Sequence, residues 1–210
     1  GGEIRTGVSV KSLAHDGDRI RRVVTDEGAI ECAAVVAAVP PDRLAKLCGP
    51  SLVAADPRLA RLGEIGFSPI LGVHLFFERP FTDLPHLVLP GRATQWLFVK
   101  GVDETGRFHV HAVISAAFEW MPLTEAAIAE RVMEDLRWAL PGAAIEDPVE
   151  VRAVKEKRAT FAARPGIDRL RPAARPPATG GIRNLHLAGD WCRTGWPATM
   201  EGAVRSGFAA

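Results

Sequence analysis

The sequence has few cysteines and no long apolar run. Its three cysteines, Cys32, Cys48 and Cys192, are too few and too widely spaced for a disulfide framework or a zinc knuckle, so a reducing cytoplasm is the expected compartment. No apolar run approaches the roughly 18 residues that a membrane-spanning helix needs, and no signal peptide opens the chain. These features argue against a secreted disulfide-rich domain and predict a cytoplasmic protein.

The chain also lacks an excess of charge of either sign. It has 26 Lys and Arg against 25 Asp and Glu, a formal net charge of +1, so binding to nucleic acid is not predicted. The exception is a basic stretch at residues 152–175, which holds eight Lys and Arg against Glu156 and Asp168. A solvated face is favoured for this stretch, and peripheral contact with the anionic inner face of a membrane is the alternative.

What is present is typical of a globular chain. Hydrophobic residues make up 47% of the 210 positions, which is enough for a sizeable core. The sequence begins without Met inside a predicted strand and stops inside a predicted helix. We therefore expect it to be a piece of a longer protein, and its oligomeric state is not indicated.

The first forty residues are typical of a small sheet that leads into a buried strand. Alternating apolar residues and the Asp16-Gly17 turn predict two strands, and a second turn at Glu27-Gly28 leads into the third. This third segment, AIECAAVVAAV, is apolar almost throughout, which predicts burial on both faces within an α/β sheet. A Pro-Pro pair ends it.

The middle of the chain predicts an antiparallel sheet covered by a helix. Two short helical pieces are predicted for residues 42–62, followed by a strand in SPILGVHLFFERPF and a hairpin formed by ATQWLFVK and RFHVHAVISAAF. Thr124 then caps a helix with apolar residues at every fourth position. These residues are Ile128, Val132, Leu136 and Leu140.

The chain closes with NLHLAGDWCRTGWPATMEGAVRSGFAA, which combines a short strand, a Gly-Asp pair, a turn and a helix. Gly189 lets a bulky ligand approach the backbone closely. Asp190 follows the strand at its carboxyl end, where open α/β sheets bind ligands, and can accept hydrogen bonds from ribityl hydroxyl groups. The helix places Met200, Val204 and Phe208 on one face. Its first turn presents unpaired N–H groups to an electron-rich group, such as the N1–C2=O edge of a reduced flavin.

The pattern LAGDW…TGWPATMEGAVRSG resembles the carboxyl-terminal flavin motif of the amine oxidase and carotenoid (phytoene) desaturase superfamily. In detail it most resembles the squalene-associated FAD-dependent desaturases, also called hydroxysqualene dehydroxylases. The segments SPILGVHLFFERPF, QWLFVK and EKRATFAARPG match the same group in order, so the resemblance spans nearly the whole chain. TGWPATMEGAVRSG is highly specific for this subgroup, whereas the Asp-Gly meander that ends in AVPP is shared by the superfamily.

The resemblance implies an α/β fold. The chain would be the carboxyl-terminal part of a glutathione-reductase-like FAD-binding fold with an inserted antiparallel-sheet-plus-helix substrate domain. Residues 1–45 would belong to the FAD-binding domain, residues 46–165 would form the substrate-binding domain, and residues 166–210 would return to the FAD-binding domain. The amino-terminal βαβ unit with G-x-G-x-x-G, which holds the pyrophosphate, is absent, so the chain is expected to hold only part of the FAD site.

The resemblance also implies particular cofactor contacts. Val10 matches the meander residue whose backbone contacts the adenine, and Gly189 and Asp190 match the pair beside the ribityl chain and pyrophosphate. Trp196 and Pro197 are implied to shape the wall near the flavin ring. The turn whose amides face the isoalloxazine C2=O, and the residue packed behind it, are Ala198, Thr199, Met200 and Ala203.

Several side chains have alternative interpretations. Packing and flavin contact are equally open for Trp191 and Trp196, whereas Cys192 is interpreted as an inert small residue. His109 and His111 have the spacing of a metal pair, but an ordinary sheet face is favoured because no third ligand is evident, so no metal site is predicted. Core packing is favoured over a hydrocarbon pocket for most of an aromatic set. This set is Phe67, Phe76, Phe77, Trp96, Phe98 and Phe118.

The function implied by the resemblance is FAD-dependent oxidation–reduction on a long isoprenoid, with reductive dehydroxylation of hydroxysqualene to squalene favoured. The FAD is expected to be non-covalent, because the stretch matching KRATF lacks the cysteine that holds the flavin in monoamine oxidases. No residue identifies itself as catalytic. The alternatives are carotenoid desaturation, amine oxidation, and a non-catalytic remnant or lipid-binding module.

Overall fold

The computed structural model describes residues 2–210 and divides the chain into two compact units. The first unit comprises the chain up to Gly66 together with Phe161–Ala210, and the second unit is Phe67–Thr160. These limits differ from the expected limits of the middle domain, residues 46–165. The segment after residue 45 stays with the first unit because Leu52 and Leu62 are buried in the same core as Leu185.

The first unit opens with an antiparallel meander, as predicted. Strands β1 (Val10–Asp16), β2 (Arg19–Thr25) and β3 (Gly28–Glu31) form a three-stranded sheet in that order. Gly17 adopts φ +56° in the first turn, a conformation that favours glycine. Strand β4 (Val35–Ala37) then leaves this sheet.

Two short helices follow, which confirms the predicted helical pieces. Helix α1 spans Pro41–Leu47 and helix α2 spans Pro50–Ala55. Each begins with a proline, whose fixed φ suits the first helical position and whose missing N–H is not needed there. Two 3-10 turns, Pro57–Leu59 and Leu62–Glu64, complete the segment.

The second unit is a five-stranded sheet covered by one long helix. Its strands lie in the order β6-β7-β8-β5-β9, and the pairs β6–β7, β7–β8 and β5–β8 are antiparallel. The predicted strand and hairpin are confirmed, whereas β6 and β9 were not among the predicted strands. The bounds are β5 Phe67–Phe77, β6 His86–Val88, β7 Trp96–Val102, β8 Phe108–Ser115 and β9 Glu150–Phe161.

Helix α3 (Glu125–Ala139) confirms the predicted cap and period. The Thr124 hydroxyl accepts the Ala127 N–H at 3.2 Å. Its apolar face packs on alternate residues of β5 and β8, because successive side chains of a strand point to opposite faces. The core of the second unit contains Leu71, Val73, Leu75, Val110, Ala112, Ile128, Val132 and Leu136.

The chain then returns to the first unit through β10 (Leu185–Leu187) and helix α4 (Met200–Ala209). β10 pairs in parallel with β4. The apolar segment predicted as one strand buried on both faces is thus two strands in two sheets, and Val36 in β4 is 56% exposed. The prediction of burial on both faces was wrong because, in the part of the chain that the structure describes, this sheet has only β4 and β10.

A buried amide and a buried ion pair hold β10 in the first unit. Asn184, 4% exposed, accepts the Ile20 N–H at 2.7 Å and donates to the Ile20 carbonyl at 2.8 Å. The guanidinium of Arg58 donates to Asp56 at 2.6 Å and to the Leu185 carbonyl at 2.7 Å. Since buried polar groups are costly without partners, these contacts fix β10 against the meander and the short helices.

Candidate functional site

The carboxyl end of β10 is tied to helix α4 by one serine. The Gly189 N–H donates to Ser206 Oγ at 2.7 Å, and the Ser206 hydroxyl donates to the Ala203 carbonyl at 2.6 Å. Ser206 is fully buried. The Gly-Asp pair and helix α4 are therefore held together, as the closing motif requires.

The amino end of helix α4 is open. Thr199 caps it by accepting the Gly202 N–H at 3.1 Å. Within the described residues, the N–H groups of Met200 and Glu201 make no hydrogen bond, and the Met200 side chain is 88% exposed. Free N–H groups and the positive end of the helix dipole thus remain available to an electron-rich group.

Two glycines of the motif are required by close contacts inside the protein. Gly189 adopts φ +149°, and a Cβ there would collide with the indole of Trp191. A Cβ at Gly202 would lie 2.8 Å from the Pro197 carbonyl oxygen. The close neighbour of Gly189 in the structure is therefore Trp191, whereas the sequence suggested a bulky ligand.

Trp191 follows the packing alternative. Its side chain is 2% exposed and belongs to the core of the first unit, so it offers no ring surface to a ligand. Trp196 is different, because it is 40% exposed and one face of its ring carries the Arg205 guanidinium at 4.4 Å. Flavin contact remains open for Trp196 and not for Trp191.

The Asp190 carboxyl is half-buried and has a perturbed pKa. Burial raises the pKa of Asp190 above its usual value, while the Trp191 N–H, the charge of Arg171 and the Phe161 N–H lower it. The neighbouring Cys192 is fully buried, and its pKa is raised to about 12 by burial. Cys192 is thus a neutral thiol at physiological pH, which agrees with its interpretation as inert.

A cavity of about 470 Å³ opens beside residues 193–197, which lie between β10 and α4. Its lining combines aromatic and apolar residues with charged ones, and includes Phe161, Ile167, Trp196, Asp168, Arg171 and Arg193. A cavity of this kind suits a planar ligand with a polar edge. Pro197 also lines it.

The structure brings most of the predicted site residues together between β10 and the first turns of α4. Val10 belongs to a different sheet, where it begins β1, pairs with Thr25 and is 41% exposed. Sequence reasoning missed Ser206, Gly202 and Arg171. The sequence did contain a signal for Ser206 and Gly202. Small residues recur along the short helix MEGAVRSG, which is typical of a helix packed closely against its neighbours.

His109 and His111 lie on the sheet face opposite α3, as expected from their spacing. His74 of the neighbouring strand β5 lies beside them. His74 Nδ1 lies 3.0 Å from His109 Nε2, and the His74 and His111 rings stack with centroids 4.2 Å apart. Burial lowers the pKa of all three, that of His111 to about 4, with the charges of Lys100 and other basic neighbours acting in the same direction. Among the described residues, no group of three or more His, Cys, Asp and Glu is placed to hold a metal ion.

Part of the aromatic set shares this face. Trp96 and Phe98 stack with centroids 5.8 Å apart, and Phe76 stacks on His109. Only Phe77 of the set is in the core, at 2% exposed, and Phe118 is 53% exposed. The preference for core packing was therefore wrong for most of these residues. Phe76, Trp96 and Phe98 occupy the alternate positions of strands that bury only one face, and Phe118 lies in a 3-10 turn. Within residues 2–210, no helix is long and apolar enough to cross a membrane.

Solved structures share this fold. An oxidoreductase from Methanosarcina mazei superposes with a TM-score of 0.70 over 95% of this chain and 47% of its own, at 18% sequence identity. A putrescine oxidase superposes with a TM-score of 0.65 over 95% of this chain and 46% of its own, also at 18% identity. The chain thus shares the fold of these two proteins.

The sequence matches the model of the flavin containing amine oxidoreductase family over residues 1–210, and the chain belongs to that family. Membership assigns a flavin cofactor, FAD. A hydroxysqualene dehydroxylase of Zymomonas mobilis is 34% identical over 145 residues, which are 69% of this chain and 32% of that protein. A 15-cis-phytoene desaturase of Solanum lycopersicum is 27% identical over 99% of this chain and 37% of its own length. The chain thus spans about a third of these relatives.

Proposed function

We propose that the chain is the carboxyl-terminal part of an FAD-dependent oxidoreductase that removes the hydroxyl group of hydroxysqualene to give squalene. The observation that carries the proposal is the hydrogen bond of the Gly189 N–H to Ser206, which holds Asp190 beside a helix whose first turn has free N–H groups. The 34% identity to a hydroxysqualene dehydroxylase supports the substrate.

The residues present fit a non-covalently bound FAD. In the proposal, the N–H groups of Met200 and Glu201 face the electron-rich edge of the ring, Asp190 accepts hydrogen bonds from ribityl hydroxyl groups, and Trp196 and Pro197 flank the ring. Ala198 and Thr199 form the turn, Ala203 packs behind it, and Val10 contacts the adenine through its backbone. The first unit would then be part of a glutathione-reductase-like FAD-binding domain, completed by a glycine-rich unit outside this chain.

The second unit would bind the isoprenoid. Its open sheet face offers aromatic rings and three imidazoles that are neutral at physiological pH. Lys100 and Arg107 already lie over the Phe98 and Phe76 rings. Since like charges repel, this face suits a long hydrocarbon better than a charged amine. Bound FAD supplies the hydride when it is reduced. The protein's tasks are to position the allylic carbon, exclude water and keep the flavin's negative edge at the open end of α4.

Phytoene-type desaturation is the second candidate, because 15-cis-phytoene desaturases match up to 99% of the chain. The two reactions differ in the direction of electron flow. A dehydroxylase consumes reduced FAD, whereas a desaturase reduces oxidised FAD.

The test uses a full-length protein that contains this chain, loaded with FAD and handled without oxygen. Hydroxysqualene should reoxidise the dithionite-reduced flavin and yield squalene, measured by absorbance and mass spectrometry. Oxidised flavin that is bleached by phytoene or an amine would refute dehydroxylation. A full-length protein that binds no flavin would refute the proposal as a whole.

A further inference from the structure

Arg171 is a buried cation in the connection before β10. Its side chain is 4% exposed, and a single guanidinium nitrogen, Nη2, donates to three backbone carbonyls. These belong to Asp190 at 3.1 Å, Cys192 at 2.6 Å and Trp196 at 2.7 Å. All three carbonyls lie in the segment Asp190–Trp196, which joins β10 to α4 and is called the 190–196 loop below.

The remaining contacts of Arg171 do not account for its burial. Its Nη1 donates to Asp168 at 2.9 Å, but the Asp168 side chain is 76% exposed, so that ion pair is weakened by solvent. The guanidinium also lies 4.9 Å from the centroid of Phe161. Its Nε is buried without a partner in the described part of the chain. Because burying a cation is costly, the bonds to the loop carbonyls are the main compensation.

The 190–196 loop has few other constraints. Among the described residues, its bonds to other backbone groups are those of the Cys192 N–H to the Gly189 carbonyl and of the Arg193 N–H to the Pro172 carbonyl. The Trp196 N–H also donates to Thr194 Oγ1 at 3.3 Å, and the N–H groups of Trp191 and Phe161 bond to the Asp190 carboxyl. Gly195 adopts φ +77°. Yet the loop carries Asp190 at one end and Trp196 at the other, and Arg171 contacts both ends.

We propose that Arg171 is the positioning residue of the flavin site: by joining three carbonyls, it fixes Asp190 and Trp196 in the orientation that FAD requires. This inference rests on the proposed function, since it takes the 190–196 loop to be part of the FAD site. Arg171 lines the cavity beside the loop, but its side chain is 4% exposed and its Nη2 is bonded to the loop carbonyls. It acts through the loop.

The charge of Arg171 has a second effect, which separates positioning from simple stability. Burial raises the pKa of Asp190 and Arg171 opposes that increase. The other titratable neighbour, Cys192, stays neutral because its pKa is about 12, and the remaining influences on Asp190 are backbone N–H groups. Loss of the Arg171 charge should therefore raise the pKa of Asp190 further.

The experiment compares Arg171→Gln, Arg171→Lys and a control, Arg169→Gln, in the full-length protein. Arg169 is the exposed neighbour in the same segment. FAD affinity is titrated from pH 4 to 8, the visible spectrum of bound FAD is recorded, and the melting temperature of the apoprotein is measured. Wild-type affinity should fall on acidification as Asp190 takes up a proton.

Arg171→Gln should weaken FAD binding at least about tenfold at pH 7.5, the equivalent of one lost hydrogen bond to a charged group, and should move the acid inflection upward. Arg171→Lys keeps the charge, but its side chain is one bond shorter and cannot place its nitrogen where Nη2 lies. The acid inflection should therefore stay unchanged, while the FAD affinity falls and the flavin spectrum changes. Arg169→Gln should match the wild type.

Wild-type affinity, spectrum and inflection in Arg171→Gln would overturn the inference, even if the apoprotein melts at a lower temperature. If Arg171→Gln does not fold, Arg171→Lys is the test. A wild-type FAD affinity and flavin spectrum in Arg171→Lys would then overturn the inference. These results leave the proposed function intact. A wild-type protein without flavin would instead refute both.

Discussion

At the scale of single residues, the sequence predicted which positions matter better than it predicted their partners. Gly189 and Asp190 were identified from a strand followed by Gly-Asp, and they do lie at the carboxyl end of β10. The partner of the Gly189 N–H, Ser206, lies 17 positions away, and no local pattern specifies that pairing. The role of Arg171 was missed for the same reason, because its three acceptors are 19 to 25 positions distant.

The close contact at Gly189 leads to a prediction for stability. Gly189→Ala should destabilise the chain by about 2 to 4 kcal/mol, since it adds a strained backbone conformation to a collision with the buried Trp191. Gly207→Ala is the matched control, because a Cβ there meets nothing within 4 Å and alanine favours a helix. Urea unfolding of both variants measures the difference. Equal stabilities would show that Trp191 moves aside without cost.

At the scale of elements, the period of the apolar residues was sufficient where an element is long. Helix α3 and strands β5, β7 and β8 were predicted because one face of each is buried over many residues. The segment that became β3 and β4 was misread, since its apolar residues serve two different sheets. Strand β9 was not predicted, because charged residues such as Lys155, Glu156 and Lys157 interrupt its alternation.

The histidines of β5 and β8 predict a dependence of stability on pH. The pKa of His111 is about 4 in the folded chain against 6.5 for an ordinary histidine, and the pKa values of His74 and His109 are also lowered. The unfolded chain therefore binds more protons between these values. The stability contributed by these neutral histidines should be fully present above pH 6.5 and should decline as the pH falls toward 4. For His111 the decline is up to about 1.4 kcal/mol per pH unit before solvent screening, and His74 and His109 act in the same direction.

The free energy of unfolding of the second unit, measured in urea at several pH values, gives this decline. His111→Gln should make it shallower, because one of the groups that takes up a proton on unfolding is removed. His86→Gln, at an exposed position on β6, is the control for the substitution itself. An equal slope in wild type and His111→Gln would contradict the assignment.

At the scale of the whole chain, the two-part organisation was predicted from sequence but its limits were not. Composition and the period of apolar residues do not indicate which core a short helix packs into, because the local sequence around a leucine on α2 is the same whichever unit buries it. The structure assigns these leucines to the first unit, in which the neighbouring residues of β10 come from the far end of the sequence. The domain limits thus depend on long-range contacts.

Separate expression of the second unit tests these limits. Phe67–Thr160 has its own core of strand and helix residues, so it should be monomeric by gel filtration and unfold cooperatively in urea. The fragment of residues 46–165 adds Leu52, Leu59 and Leu62, which are buried against residues that this fragment lacks. Exposing these leucines should cause self-association, because large apolar patches on a free surface associate. A monomeric, cooperative 46–165 fragment beside an unfolded Phe67–Thr160 would instead favour the limits expected from the sequence, and would mean that the short helices pack on the second unit.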